Sequence, residues 1–258
     1  MIEEKKFKIE LMTLEPLRIG GKQDPLSGAD NPVTRIGDKL VIPGSSLKGA
    51  FRAEVESFLI NLYREEWQRG EKLSLQPCIP VPTGRELSED EKQLVSKKNY
   101  RAPGCHYPCD EKKCSKSIHS ICPVCYLFGA AGLNGFLRVP FLYASISPDT
   151  LYSTRIDRAK GVVAKGTNRP YELVSDGTLF SGELEILLED DILGWKLGEL
   201  RSLKDKTLGD QWLRETDFNQ EKIMKDLIIE RLKAISILGG YKSKGCGKIK
   251  IEIEEVKS

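Results

Sequence analysis

The chain is poor in histidine, in net charge and in long apolar runs, and each shortage narrows the possible functions. Only two histidines occur in 258 residues, His106 and His119, and both lie inside a cysteine-rich stretch. A ribonuclease built on a histidine pair is therefore not expected, and no Ser-His-Asp set is evident. The 40 basic and 38 acidic residues leave a net charge of +2. Affinity for a polyanion would have to come from local patches. No apolar run approaches membrane-spanning length. The first residues, Met1-Ile2-Glu3-Glu4-Lys5-Lys6, lack the apolar segment of a signal peptide. These absences lead us to expect a cytoplasmic protein with no membrane partner. No tandem repeat is visible.

Hydrophobic residues make up 40% and charged residues 30%, which fits a soluble globular chain with a sizeable core. The length allows one large domain or two small ones. Seven cysteines are present, five of them between Cys105 and Cys125. In a reducing compartment such crowding points to metal more than to disulfides.

Periodicity divides the chain. Phe7 to Leu14 alternates apolar and polar residues, which predicts a half-buried strand. From Leu47 the apolar residues Phe51, Val55, Phe58 and Leu62 recur at helical steps, which predicts a helix ending near Gly70. Residues 71 to 121 are interrupted by five prolines and show no period, so they read as an insertion that needs a staple. Phe136 to Ile146 and Leu179 to Leu188 read as strands. Asn219 to Leu238 reads as a second helix, and Ile249 to Ile253 as a last strand. Strand, helix, strand, strand, helix, strand is the split βαβ pattern. It predicts an α+β fold with an antiparallel sheet and helices on one face.

Four stretches carry candidate chemistry. Gly28 to Pro32 is a turn-forming loop with a carboxylate at Asp30, with Asp24 and Asp38 nearby as weaker alternatives. Ser45 or Ser46 can cap the helix starting near Leu47, and a helix start with small residues can hold a phosphate. Lys48 and Arg52 share one face of that helix. Cys122-Pro123-Val124-Cys125 has the two-residue gap that lets two thiolates reach one zinc, and Cys109 and Cys114 supply a second pair. Cys105, His106 and His119 are spare candidates, while Cys78 and Cys246 stand apart and read as packing residues. The glycine-rich run 239 to 247 carries Lys242, Ser243 and Lys244. It lacks the ending of a P-loop, and a strand follows it rather than a helix.

Asp30-Asn31-Pro32-Val33, then Pro43-Gly44-Ser45-Ser46-Leu47-Lys48-Gly49 and Arg52, resembles the RAMP superfamily. More narrowly, it is similar to the repeated backbone subunit of type III CRISPR effector complexes. Three further stretches agree: Cys122 to Gly129 with a zinc-holding insertion of some relatives, the glycine-rich loop, and Thr154-Arg155-Ile156-Asp157-Arg158 with a thumb hairpin. The resemblance runs from about Phe7 to Ile253. It implies a single RAMP domain, residues 1–258, of modified ferredoxin-like (RRM-like) fold. A zinc-binding insertion at about 71–125 and a thumb-like hairpin at 150–178 would interrupt it. It implies guide RNA held by Ser45, Ser46, Lys48, Arg52, Arg155, Arg158, Lys242, Ser243 and Lys244. It also implies target RNA cut through Asp30 with Mg2+ or Mn2+, in a filament of further copies joined by other type III effector subunits.

Overall fold

The computed structural model describes residues 1–21, 31–62, 64, 75–80, 85–97, 99–102, 104–107, 121–203, 206–207 and 209–256. Strand β1 (Ile2–Thr13) is longer than the predicted alternation, because its charged first half also pairs along β10 (Leu179–Asp190). Phe7, Ile9, Leu11 and Thr13 turn inward from β1, and Phe180, Leu184 and Ile186 from β10. The period-2 rule thus held, since alternate side chains of a strand face opposite sides.

Strands β2 (Arg35–Ile36), β3 (Lys39–Ile42), β5 (Leu142–Ala144) and β14 (Ile249–Glu255) complete the main path, in the order β14-β1-β10-β5-β3-β2. Every pairing along it is antiparallel. Without the β2–β3 hairpin, the last strand lies beside the first and the first beside the third. That is the ferredoxin-like order the element pattern predicted. The stretch expected as one strand from Phe136 to Ile146 is two, β4 (Leu137–Arg138) and β5. Between them Pro140 has no N–H to give a ladder.

Helix α1 (Gly44–Leu62) buries Leu47, Phe51, Val55 and Leu59. The inward stripe is therefore one residue off the expected one at its end: Leu59 is inside, Leu62 is exposed, and Phe58 is half-buried under Arg231. The second helix, α4, runs Gln220–Lys222, a π-helical Ile223–Ile229 and Glu230–Ala234. Asn219 caps it, its side-chain oxygen accepting the Lys222 N–H at 2.9 Å. It stops short of Leu238 because Leu238 N–H bonds Gly247 instead. Both helices bury their apolar sides in one core with the sheet, at roughly 1.5–3 kcal/mol per large side chain.

Two parts lie off the sheet. The insertion contains α2 (Glu89–Ser96), opened by a capping box of Ser88 and Glu91, and α3 (Pro123–Phe128). A hairpin of β6 (Asp149–Ser153) and β9 (Arg169–Leu173) continues into a smaller ladder, β7 (Ile156–Asp157) with β8 (Val162–Val163). The hairpin stands in the stretch where the resemblance put a thumb, with Leu151, Tyr152, Ile156, Val162 and Val163 exposed along it.

Beyond β10, Arg201 is fully buried beside Asp210. Its Nε and Nη2 reach the two carboxylate oxygens at 2.9 and 3.1 Å, and Nη1 donates to the Asn134 carbonyl at 3.0 Å. The rings of Tyr126, Trp195 and Phe136 surround the guanidinium at 4.6, 5.1 and 5.4 Å. Removing the carboxylate would strand a charge in an aromatic cage. Asp210→Ala is expected to cost about 3–5 kcal/mol in chemical denaturation. A loss below about 1 kcal/mol would show that the pair does not hold this region.

Candidate metal centre and nucleic-acid interface

Residues Cys78, Cys105, Cys122 and Cys125 bring their sulfurs within 4.8 Å of one another. Cys78 is thus not a separate packing residue: its sulfur is 3.4 Å from that of Cys125. Cys105, expected only as a spare, belongs to the set. Cys109, Cys114 and His119 lie outside the described residues. His106 is not one of the four, and its Nδ1 sits 3.2 Å from the Gly104 carbonyl. The Cys122-Pro123-Val124-Cys125 turn opens α3, with Pro123 in the first turn and Cys122 at the cap.

Backbone N–H groups already point at these sulfurs. Cys105 donates to Cys78, Cys122 to Cys105 and Cys125 to Cys122, each at 3.4 Å. Burial works against ionising Cys122, but hydrogen bonds from the sulfurs of Cys105, Cys125 and Cys78 and the Arg101 charge hold its thiol well below the usual range. Hydrogen bonds to Cys105, Cys122 and Cys78, then burial, push Cys125 up. Four clustered thiols with one predisposed to lose its proton could bind a metal such as zinc. Four sulfur donors match a closed, structural zinc site, and metal would displace the remaining protons.

Helix α1 faces this centre. It starts at Gly44, not near Leu47, and the Pro43 carbonyl accepts the first bonds, from Ser46 and Leu47 N–H at 2.9 and 3.2 Å. Ser45 and Ser46 are exposed in its first turn rather than capping it. Lys48 donates from Nζ to the Phe128 carbonyl at 2.8 Å, at the end of α3, where a cation is favoured. Arg52, expected on an RNA phosphate, has other partners. Only 15% of its side chain is exposed, and its Nε donates to Glu56 at 2.7 Å. Its Nη2 lies 3.7 Å from the Cys125 sulfur. Spacing put Lys48 and Arg52 on one helix face correctly, but it could not say what that face meets.

A second convergence lies at the base of the thumb. Asn31 bridges Tyr171 of β9, and Glu172 N–H donates to the Asn31 carbonyl at 3.0 Å. The buried Glu172 carboxylate accepts Val33 N–H at 2.9 Å and Arg35 at 2.7 Å. Arg18 donates to the Pro32 carbonyl at 2.8 Å, and its own carbonyl accepts Gly240 N–H at 2.8 Å. The glycine-rich loop can pass this close only without side chains. A Cβ on Gly239 would lie 2.4 Å from the Arg18 oxygen, and one on Gly247 would lie 2.4 Å from the Leu238 oxygen. Both have positive φ.

Tyr241 also sits at positive φ, the one non-glycine among the described residues to do so. Its ring meets Tyr171 edge-on at 5.6 Å, with Lys244 and Arg18 at 4.5 and 5.9 Å. Lys242, Ser243 and Lys244 form a short exposed turn beside it. Arg155 and Arg158 are exposed farther out, around the β7–β8 ladder. Asp30 and Asp24 lie outside the described residues, and Asp38 is exposed between β2 and β3. The sequence reading missed Arg18, Tyr171, Glu172 and Tyr241. No motif marks them, and only their partners far along the chain make them notable.

The family model for the RAMP superfamily matches residues 10–250. No curated protein matches the chain.

The four-sulfur geometry has a direct check. Purified protein should carry about one zinc per chain. Cys78→Ser or Cys105→Ser should lose most of it in elemental analysis, while Cys109→Ser and Cys114→Ser should keep it. Full zinc content in Cys78→Ser protein would contradict the cluster as the ligand set.

Proposed function

Because this chain belongs to the RAMP superfamily, we propose that it is a guide-RNA-binding backbone subunit of a type III CRISPR effector complex that cuts target RNA. Cytoplasmic location, filament formation with further copies, and contact with the other effector subunits go with this reading. No helix among the described residues is long and apolar enough to cross a membrane.

One observation supports it most. The segment following Asp30, the base of the thumb and the glycine-rich loop meet at Arg18, Asn31 and Tyr171. These three stretches are more than two hundred residues apart at their extremes, yet they carry the three features the resemblance linked to RNA. Lys242 and Lys244 offer exposed cations to a backbone there, and Arg155 and Arg158 offer them along the thumb. The exposed apolar side chains of the hairpin suit a wedge between bases. Such a wedge costs a few kcal/mol per step in unstacking, which backbone contacts offset. Ser45, Ser46 and Lys48 at the start of α1 remain candidates for phosphate contact.

For cleavage, Asp30 is the proposed catalytic residue. Its carboxylate would position or deprotonate the 2′-hydroxyl next to the scissile phosphate. The 2′-oxygen then bonds to phosphorus as the bond to the 5′-oxygen breaks. Glu172 is already occupied by Val33 and Arg35, so it is no substitute. Among the described residues, the one group of three or more metal-binding side chains is the four-cysteine set. Mg2+ or Mn2+ for cleavage would rest on Asp30 together with phosphate oxygens, a donor set that Mg2+ accepts readily.

Two measurements test this reading. In assembled complexes, Asp30→Ala should slow metal-dependent cleavage of matched target RNA by about a hundredfold or more while leaving guide binding intact. Asp24→Ala and Asp38→Ala should cut normally. If Asp30→Ala complexes cut at the parent rate, the chain is a scaffold. Separately, Lys242→Ala or Lys244→Ala should weaken binding of all guide sequences alike and lower the salt slope by less than about one unit each. A loss confined to particular sequences would place these lysines on bases instead.

A further inference from the structure

We propose that Arg52 and Arg101 are positioning residues of the four-cysteine metal centre, balancing its charge and tying it to helix α1. The inference rests on the reading of that cluster as a metal site. Four thiolates around one divalent cation leave a net double negative charge in a mostly buried place. Buried charge of one sign is costly unless it is paired. Two guanidiniums approach the cluster from different parts of the chain. Arg101 Nη2 is 2.9 Å from the Cys105 sulfur, and Arg52 Nη2 is 3.7 Å from the Cys125 sulfur. Their two positive charges face the double negative one, although Arg52 shares its charge with the Glu56 carboxylate at 2.7 Å.

The arginines are themselves held in place. Glu56 accepts Arg52 Nε at 2.7 Å, one helical turn away on α1. The Glu56 carboxylate also accepts the Tyr100 hydroxyl at 3.3 Å, and Tyr100 precedes Arg101 in the chain. The backbone at Arg101 is pinned in turn, exchanging bonds with Pro77 and Ile79 at 3.0 and 3.1 Å on either side of Cys78. A connected path therefore runs from α1 through Arg52, Glu56, Tyr100 and Arg101 back to the sulfurs. A second path fastens α1 to α3: Lys48 on the Phe128 carbonyl, and Phe51 edge-on to the Phe128 ring at 4.9 Å. Arg52 thus faces Glu56 and the sulfurs rather than RNA, and metal in the cluster would hold the helix that carries Ser45, Ser46 and Lys48.

The test uses the full chain, with zinc as probe and a competing chelator. Arg52→Gln and Arg101→Gln should still bind one zinc at saturation, but with affinity about 10–100-fold lower. Arg52→Lys should recover part of the loss. With Co2+ in place of zinc, the glutamine variants should move the thiolate-to-cobalt charge-transfer band to lower energy, because sulfurs deprived of a charged donor give up electrons more readily. A variant that is merely misfolded would lose its far-ultraviolet circular dichroism rather than shift that band. The salt slope of guide-RNA binding should be the same for Arg52→Gln as for the parent. Zinc affinities within about twofold of the parent with an unmoved band overturn the inference alone. So does a lowered salt slope with unchanged zinc affinity, which returns Arg52 to the RNA backbone. Absence of zinc from the parent protein overturns the metal reading and this inference with it.

Discussion

The short segment that leaves β1 fixes how the glycine-rich loop, the base of the hairpin and the segment around Asn31 come together. β1 is paired on both sides, to β10 and to β14, so its exit is held in register. Beyond Thr13 the chain bonds in turn to three distant stretches. Leu17 exchanges bonds with Val174 below the thumb at 2.8 and 2.9 Å, and Pro16 and Arg18 accept Gly247 and Gly240 at 2.9 and 2.8 Å. Gly21 and Ile19 bond Pro32 and Thr34 at 2.9 Å each. These are backbone bonds, each worth about 1 kcal/mol net, and they orient more than they stabilise. A one-residue slip of β1 would turn its inward side chains to solvent and misalign all three stretches together.

The other side of the molecule depends on sulfur. The insertion contributes all four sulfurs, Cys78 and Cys105 from its irregular part and Cys122 and Cys125 from the cap and first turn of α3. Among the insertion's described residues ahead of α3, the buried apolar side chains are few: Leu75, Pro77, Cys78, Ile79, Ile121 and Cys122. Hydrophobic burial alone gives such a stretch little with which to offset the entropy of ordering it. A metal held by the four sulfurs would supply that deficit at one point, and because Arg52 and Lys48 of α1 contact the same neighbourhood, the ordering would pass to the helix. The two sides share the core but differ in their chemistry, one of backbone bonds around glycines and the other of charge around thiolates.

Much of the fold was legible because it rests on local periodicity. The alternation of Phe7, Ile9 and Leu11 and the helical recurrence from Leu47 to Val55 report which side faces the core, whatever the core is made of. One failure falls where a distant partner overrode local pattern: the second helix ends early because Leu238 finds Gly247. Another was local, since the strand from Phe136 breaks at Pro140, which has no N–H to give. One miss was avoidable: Ser88 with Glu91 is a readable helix start, and it opens α2.

Local spacing was enough for the family, the α+β element order and the Cys122–Cys125 half of the four-cysteine cluster. Each of those is carried by residues close together in the chain, where spacing translates directly into geometry. Which thiols join Cys122 and Cys125, what Arg52 faces, and the meeting of Asn31, Tyr171 and Gly240 at one junction emerge only once the chain is folded. Cys78 is 47 residues from Cys125, and Asn31 lies well over a hundred residues from Tyr171. Over such separations, spacing carries no distance information. The meeting is set by strand register and by how the chain closes around buried charge.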